Sequence, residues 1–504
     1  MNPLRPSRIP TPRHGFVLVA VLIFVVLLGM VIASLLFQSA ADESAAAASA
    51  GNEQAWATAL SGVAEVLRAA PKAGGPDTDW QDNPARFKHQ LVYEDGADQW
   101  YFTVFSPAPA DSLADLRYGL ADEASKINLR HTTVDQLSKL PRLTPELARA
   151  LFASLPSHSD SPLPTPTPVS ATPDPAASTD PFPPADPVED LTSDPLSEIR
   201  TIPLDSIEDL LQVPGITASL LFGEDLNRNG RLDPGEDSNQ DDQLDRGLAQ
   251  YLTLDSNTPN TSRTGTRRAN LNDPTDPLPS VDLPSGFTNY VAALRASNQS
   301  LGHPAETLEA ALSVKDALGT TTLVPSEITL ENLPLVLDHF TTSTRTNLPG
   351  LINLNTASTL VLASVPDIDL PLAESIVSTR TALSPERRET IAWLVQEGVV
   401  NTNQFKAIAP HLTARSHQFT CRIAGYGLPS GRFKVLELDV SITSGSPEIT
   451  RLRDVSRLGF PLPPDVIEEN STVSPPQALI PTPASTLPSG AHPGRPVVSP
   501  RRHG

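Results

Sequence analysis

The chain has 504 residues, which allows about three domains at roughly 150 residues each, but 52 of its residues are proline, about twice the usual share. Acidic residues outnumber basic ones by 58 to 37, and the net charge of −21 disfavours a nucleic-acid partner, because phosphate binding needs a surplus of Lys and Arg. The single cysteine, Cys421, excludes an intramolecular disulfide framework and any multi-cysteine zinc site.

The N-terminal region contains an apolar run of 22 residues without a charge, Phe16 to Phe37. A helix of this length spans about 33 Å, which is enough to cross the hydrocarbon core of a bilayer. Arginines precede the run and acidic residues follow it, so the positive-inside rule predicts a cytoplasmic N-terminus and an exported remainder.

Residues 38–70 are expected to continue this helix beyond the membrane. They are rich in alanine, and Pro71 is expected to end the helix because proline has no backbone N–H and clashes with the preceding turn. The whole helix would be about 80 Å long. Helical spacing predicts a packed face made of Trp56, Leu60, Val63 and Leu67.

Three interpretations of the N-terminal segment compete: a cleaved secretory signal, an ordinary single-span anchor, and a processed pilin-like helix. A secretory signal would have a shorter apolar core and a small-residue cleavage site on its far side. The junction Arg13-His14-Gly15-Phe16, a basic leader ending in Gly directly before Phe and the apolar helix, resembles the type IV prepilin signal. The resemblance implies cleavage by a prepilin peptidase between Gly15 and Phe16, with residues 1–15 as the leader and residues 16–37 as the membrane part.

The fifth residue after this predicted cleavage site is Ala20, where most pilins and pseudopilins carry Glu. A carboxylate inside the bilayer is costly unless it is paired. In the family, its partner is thought to be the N-terminal amine of the subunit ahead, and a subunit at the tip has none ahead of it. In this respect the chain is similar to the protein K family of the type II (general) secretion pathway, the pseudopilins that lack this Glu.

The exported part is predicted to contain two β-hairpins, 87–93 with 99–105 and 417–426 with 432–442, separated by a long, mostly helical pattern. The predicted fold is therefore α+β. A pilin-like long N-terminal helix packs on a small antiparallel sheet, with a large, mainly α-helical inserted domain that contains helix-hairpin-helix-like units. The predicted segments are residues 80–120 for the first part of the sheet, 121–412 for the insert, 156–198 for a disordered Pro-rich linker within it, 225–245 for a calcium loop, 413–460 for the C-terminal strands and 461–504 for a disordered Pro-rich tail.

The insert contains an internal repeat of the form "I-N-L, helix, Pro turn, helix". Its copies begin at Ile127-Asn128-Leu129 and Ile352-Asn353-Leu354, with a fainter third copy at Ala269-Asn270-Leu271, and Ser206–Thr217 repeats the second half. The unit resembles the helix-hairpin-helix of some DNA-binding proteins, but the two main turns lack the Gly-x-Gly that holds a phosphate, so a packing role is predicted. Residues Gly119–Leu129 resemble the motif "G-L-x-D-E-x-x-K-I-N-L" of the protein K family.

Residues 225–236 fit the twelve-residue EF-hand loop, with Gly230 at the sharp turn in position six. The expected cation ligands are Asp225, Asn227, Asn229, the carbonyl of Arg231, Asp233 and Glu236. A weaker second set restarts the pattern without a Gly at position six and with Leu248 at position twelve; it comprises Asp237, Asn239, Asp241 and Asp245. Eight acidic residues against two basic ones lie between 224 and 245. We predict a structural Ca²⁺ in the first loop, and the alternative is a solvated acidic loop.

The sequence has no G-x-S-x-G elbow, no H-E-x-x-H and no phosphate-binding glycine loop, so no enzyme activity is predicted. His411 and His417 lie six residues apart and are interpreted as surface histidines rather than a ligand pair. Cys421 lies in a predicted strand and is interpreted as a buried thiol rather than a nucleophile.

The resemblance covers about residues 15–70, 119–154 and 350–442, and it implies a role in assembly rather than turnover. A pseudopilin of this kind would cap the pseudopilus tip and help to start its growth, for export of folded proteins across the outer membrane. The implied partners are other minor pseudopilins (the I and J types), prepilin peptidase, the secretin and the cargo. The implied location is the bacterial inner membrane, with a single pass and a periplasmic head.

Two other functions remain open at this level. The first is a membrane-anchored DNA-binding protein for DNA uptake, built on the helix-hairpin-helix units, against which the charge and the missing glycine turns count. The second is an anchored scaffold unrelated to pili, which would keep its leader.

Overall fold

A computed structural model describes residues 14–70, 79–96, 98–109, 111–112, 114–156, 202–297, 299–315, 321–443 and 445–462 of the chain. The predicted leader up to residue 13, nearly all of the Pro-rich linker and nearly all of the tail lie outside these residues. The described part is an α+β protein with a long N-terminal helix, an antiparallel sheet and further helices.

The described helices are α1 (His14–Ala69), α2 (Pro84–Phe87), α3 (Val134–Ser138), α4 (Pro145–Ser154), α5 (Ala218–Phe222), α6 (Ser285–Ala296), α7 (Leu333–His339), α8 (Thr359–Ser364), α9 (Leu370–Ala382), α10 (Trp393–Gln396) and α11 (Thr402–Ile408). The described strands are β1 (Gln90–Glu94), β2 (Gln99–Pro107), β3 (Leu116–Arg117), β4 (Ala121–Asp122), β5 (Ile127–Asn128), β6 (Leu252–Thr253), β7 (Asn257–Pro259), β8 (Ala269–Asn270), β9 (Ala311–Lys315), β10 (Thr321–Pro325), β11 (Phe340–Thr341), β12 (Asn347–Pro349), β13 (Ile352–Asn353), β14 (Leu412–Thr413), β15 (Gln418–Leu428), β16 (Phe433–Ser441) and β17 (Glu448–Asp454).

The helix α1 runs without a break for 56 residues. From residue 18 to residue 50 its side chains are exposed, and the apolar part of this stretch is long enough to cross a membrane. From Gly51 onwards one side of the helix is buried against the sheet. By length and composition the helix therefore fits a single-pass membrane anchor that continues into the folded head.

The buried side of α1 is lined by small and β-branched residues, namely Gly51, Ala55, Thr58, Ala59, Gly62, Val63 and Val66. The predicted face is right in three of its four members, since Val63 is buried and Trp56 and Leu67 pack half-buried against the same core, but Leu60 is 39% exposed. The small residues beside them allow a very close approach between helix and strand, since a Cβ on Gly425 of β15 would collide with the backbone of Ala55 and Ala59. Large side chains on that face would keep the two backbones apart.

The sheet has the strand order β1-β2-β15-β16-β17, and all of these neighbours are antiparallel. Both predicted hairpins are confirmed: β1 pairs with β2, and β15 pairs with β16. The central pairing joins β2 to β15, from Gln99 opposite Leu428 to Phe105 opposite Arg422. The 310 residues 108–417 thus lie between two adjacent strands of one sheet.

The buried apolar residues form two separate clusters. The smaller one joins α1 to the sheet and includes Val63, Val104, Cys421, Ile423 and Leu438. The larger one lies in the residues between β2 and β15 and includes Leu129, Leu271, Leu354 and Trp393. The insert therefore has a hydrophobic core of its own.

Within the described part of the insert, the three predicted copies of the repeat share one geometry. In each copy an Asn-containing strand pairs in parallel with a short strand that ends in Thr: β5 with β6, β8 with β11, and β13 with β14. The Asn Oδ1 accepts the N–H two residues later at Asn128, Asn270 and Asn353. The faint third copy at Asn270 thus shares the strand pairing and the Asn hydrogen bond of the two main copies.

The Pro turns of the repeat also share one geometry. The residue after proline is left-handed in each of them, with φ of 62° at Arg142, 91° at Gly215 and 62° at Asp367. Two residues after this position, a side-chain hydroxyl or carboxylate caps the second helix; the capping residues are Thr144, Thr217 and Asp369. Arg142 is ion-paired with Asp245 at 2.6 Å.

The boundary between sheet and insert is polar, and its centre is Asp122 of β4. The Asp122 carboxylate is fully buried and accepts hydrogen bonds from Asn353 Nδ2 at 2.9 Å, Thr356 Oγ1 at 2.5 Å, Ser416 Oγ at 2.7 Å and the Ala124 N–H at 2.9 Å. Burial raises the pKa of Asp122, and these four hydrogen bonds act against the rise. Asp122, which belongs to the motif Gly119–Leu129, thus connects the sheet to the copy of the repeat that begins at Ile352.

Replacing Gly425 by Val should destabilise the head by about 1–3 kcal/mol or more, because the new side chain would enter the space of the α1 backbone. The measurement is thermal unfolding of the full chain in detergent, followed by circular dichroism. The control is Leu91→Ala on β1, where Leu91 is 52% exposed and the expected change is within about 0.5 kcal/mol. Equal melting temperatures for wild type and Gly425→Val would contradict the close approach.

Candidate metal centre

The first acidic loop follows α5 and brings its predicted ligands together. The Asp225 carboxylate accepts the Gly230 N–H at 3.1 Å, so it reaches across the loop from position one to position six. The Asn229 N–H donates to Asn227 Oδ1, and the Arg231 N–H donates to Asn229 Oδ1, both at 2.8 Å. These bonds curl the backbone of the loop around the side chains of Asp225, Asn227 and Asn229.

The far end of the same loop closes on Asp233. The amide groups of Asn227 and Asn229 both donate to Asp233 Oδ2, at 2.8 Å and 2.7 Å, and the Asp233 N–H donates to Glu236 Oε2 at 3.1 Å. Each of the five predicted side-chain ligands therefore takes part in a hydrogen bond within this loop. This is an arrangement of carboxylate, carboxamide and carbonyl oxygens, the donor set that a hard cation such as Ca²⁺ prefers.

The second loop repeats the backbone of the first, position by position. Arg228 and Gly230 are left-handed in the first loop (φ 61° and 81°), and Gln240 and Asp242 are left-handed in the second (φ 61° and 56°). The Asp237 carboxylate accepts the Asp242 N–H at 3.3 Å, which matches the bond from Gly230 to the first Asp. The second copy lacks Gly at position six and has Leu248 at position twelve, as its sequence shows, but its backbone takes the same path because Asp242 adopts the left-handed conformation.

Sequence reasoning missed Glu224, which precedes the first loop and belongs spatially to the second. Its carboxylate accepts the Ser238 N–H at 2.8 Å, the Ser238 hydroxyl at 2.7 Å and the Asp245 N–H at 3.2 Å. The carboxylate oxygens of Glu224, Asp237 and Asp241 lie within 4.8 Å of one another. Glu224 therefore supplies a carboxylate to the loop in which position twelve is an apolar Leu248.

The two loops have different electrostatic surroundings. Burial raises the pKa of the Asp225 carboxyl, and the Gly230 N–H and the charge of Arg422 act against the rise. Burial also opposes ionisation of Glu224, but the hydrogen bonds from Ser238 and Asp245 outweigh it and lower the pKa of Glu224. Glu224 is thus held in its charged form, with one carboxylate oxygen on each end of the second loop.

The first loop lies against the sheet. Arg422 of β15 donates from Nη1 to the Arg228 carbonyl at 2.7 Å, and a Cβ on Gly230 would lie 3.8 Å from the same Nη1 atom. After the second loop, Arg246 donates to the Asp115 carbonyl. The acidic loops are thus placed at the boundary between sheet and insert.

The remaining predicted residues are in different places. Gly15, Phe16 and Ala20 lie in α1, far along the helix from its packed half, and Ala20 is exposed. Cys421 is buried in β15, and burial raises the pKa of its thiol. His417 is also buried, which lowers its pKa to about 3, so the interpretation of His417 as a surface residue is wrong.

No protein-family model matches this chain, and no curated protein matches it either. Its function is therefore inferred from its own residues and their geometry.

Replacing Asp225 by Asn should abolish most of the stabilisation that Ca²⁺ gives to the full chain. A cation at a hundred times its dissociation constant stabilises the folded state by about 2.7 kcal/mol. The measurement is the melting temperature in detergent with EDTA and with millimolar Ca²⁺. The matched control is Glu374→Gln on the exposed side of α9, which removes one charge and should keep the full calcium response. A wild-type protein without any calcium response would refute the cation site.

Replacing Glu224 by Gln should lower stability at pH 7 by about 1–3 kcal/mol, and this difference should shrink as the pH falls below 4.5. Because the pKa of Glu224 is lowered in the folded state, its contribution is present above the unfolded value of 4.5 and is lost as the pH falls through the folded pKa. The measurement is the melting temperature from pH 7 to pH 3 in EDTA, which separates this effect from cation binding. A difference between the two proteins that stays constant with pH would contradict it.

Proposed function

We propose that this chain is a minor pseudopilin of the type II secretion system that caps the pseudopilus tip and helps to start its assembly. In this proposal the protein acts by assembly and has no catalytic role. It is held in the bacterial inner membrane by the apolar half of α1, with its head in the periplasm.

The observation that carries the proposal is the division of α1 into two halves. Residues 18–50 are exposed, and the residues from Gly51 to Ala69 pack on an antiparallel sheet through small side chains. A bare apolar half is suited to pack with equivalent helices of other subunits, and the packed half holds the head rigidly at its end. Together with the junction Gly15-Phe16, this supports processing and assembly in the manner of pilins.

Ala20 supports the tip position. The apolar half of α1 carries no carboxylate at this point, and a carboxylate there would need a cationic partner in the membrane. A subunit without it needs no subunit ahead, so it can occupy the end of the assembly. The proposed neighbours are the I and J types of minor pseudopilin, and the secretin and secreted cargo are the proposed contacts of the insert.

The acidic loops support a structural role for Ca²⁺ in the insert. Asp225, Asn227, Asn229, Asp233 and Glu236 offer side-chain oxygens, and Arg231 offers its carbonyl. The cation would neutralise part of the local negative charge and hold the loop against the sheet. We propose that it is a fixed part of the folded head rather than a signal.

The N-terminus of the native protein tests the proposal. Extracted from cells that contain prepilin peptidase, the chain should begin at Phe16 and carry an N-methyl group, as mass spectrometry of the intact protein will show. Gly15→Ala should block this cleavage, whereas Gly29→Ala in the same exposed helix should leave it unchanged.

A native chain that keeps Met1–Gly15 in such cells would overturn the proposal and leave an ordinary anchored protein. A second readout is secretion. Cells without the chain should retain folded cargo in the periplasm, and only the cleavable Gly29→Ala protein should restore export.

A further inference from the structure

Three charged residues form a row across the sheet. Arg422 of β15 is directly opposite Glu437 of β16, and Glu437 is directly opposite Arg453 of β17. Arg422 Nη2 lies 3.4 Å from Glu437 Oε2, and Arg453 Nη2 lies 2.7 Å from Glu437 Oε1. Because neighbours of Arg422 on β15, Cys421 and Ile423, pack towards α1, the row lies on the opposite face of the sheet.

Two residues of the insert close this row into a ring. Glu208 pairs with Arg228 of the first acidic loop and lies 3.9 Å from Arg453 Nη2. Arg422 Nη1 donates to the Arg228 carbonyl at 2.7 Å. Each of the five residues thus contacts the next, and the ring comprises Arg422, Glu437, Arg453, Glu208 and Arg228.

Arg228 is the point at which the ring enters the acidic loop. It occupies position four, between the expected ligands Asn227 and Asn229, and its backbone is left-handed. Its guanidinium pairs with Glu208 and also lies 5.4 Å from the centre of the Phe222 ring. A residue held through both its carbonyl and its side chain fixes the positions of the two ligands beside it.

We propose that this ring positions the first acidic loop for its cation, so that Ca²⁺ binding and attachment of the insert to the sheet stabilise each other. The inference rests on the cation site proposed above and adds Arg422 and Arg453 as positioning residues. Neither arginine supplies a ligand. By linkage, a contact that favours the loop conformation raises the affinity for Ca²⁺, and bound Ca²⁺ strengthens the contact to the same extent.

The direction of the change in Ca²⁺ affinity distinguishes a positioning role of the arginines from a simple electrostatic one. Removing an arginine near a cation site reduces repulsion, so charge alone predicts tighter binding of Ca²⁺. Loss of positioning predicts weaker binding. Arg453 is the better position for the test, because it contacts only Glu208 and Glu437 within the ring and its side chain is 44% exposed.

The experiment is isothermal titration of the full chain in detergent with Ca²⁺, for wild type, Arg453→Gln and Arg422→Gln. The matched control is Arg451→Gln, which removes the same charge from the same strand but pairs with Asp439 at 2.8 Å. Circular dichroism in EDTA verifies that each variant is folded. Hydrogen exchange of β17 with and without Ca²⁺ gives the reciprocal readout.

If the ring positions the loop, Arg453→Gln and Arg422→Gln bind Ca²⁺ about five-fold or more weakly, and Arg451→Gln does not. In the wild type, Ca²⁺ then slows exchange in β17, and in Arg453→Gln this protection is lost. Unchanged or tighter binding in both ring variants, while the wild type binds Ca²⁺, overturns the positioning role and leaves the cation site intact. A wild type that binds no Ca²⁺ overturns both.

Discussion

The antiparallel pairing of β2 with β15 is the constraint on which the rest of the fold depends. It joins strands separated by 310 residues, so the chain between them must leave and return at neighbouring strands of one sheet. Bringing such distant segments together costs chain entropy, which grows only slowly with loop length. A long insert with a core of its own is compatible with this pairing, because its internal contacts offset the cost of ordering it.

The insert contains three smaller pairings of the same kind, in which two strands that are distant in sequence lie side by side. Each copy of the repeat begins at a strand containing Asn and ends at a strand containing Thr that lies beside it. Thr253, Thr341 and Thr413 each accept the N–H two residues further on, in the same way as the Asn residues do. The polar side chains replace hydrogen bonds that two-residue strands cannot make, so these very short pairings are completed locally.

Sequence periodicity could predict the elements but not the way they approach each other. The hairpins, the long helix and the insert follow from alternation, length and proline positions. Periodicity also finds most of the packed face of α1, but not the close approach of its backbone to β15, which depends on Gly425, a glycine more than 350 residues away. The first acidic loop could be predicted from spacing, since its expected ligands lie within twelve consecutive residues. The contribution of Glu224 could not be predicted. The spacing rule for this type of loop places the last carboxylate after Asp237, whereas Glu224 precedes Asp237 in the chain.

Strand β15 connects these parts, because its alternation sends successive side chains to different neighbours. Ile423 and Gly425 face α1, whereas Arg422, on the other face of β15, contacts the first acidic loop. At its start, Phe419 pairs with Asp122, whose carboxylate binds Ser416 and Asn353. Apolar contacts on one face are tight but carry little directional information, whereas the polar contacts on the other face are directional. The orientation of the insert therefore depends on a few hydrogen bonds and charges around this strand, and an ion that orders one of those contacts would order the whole boundary.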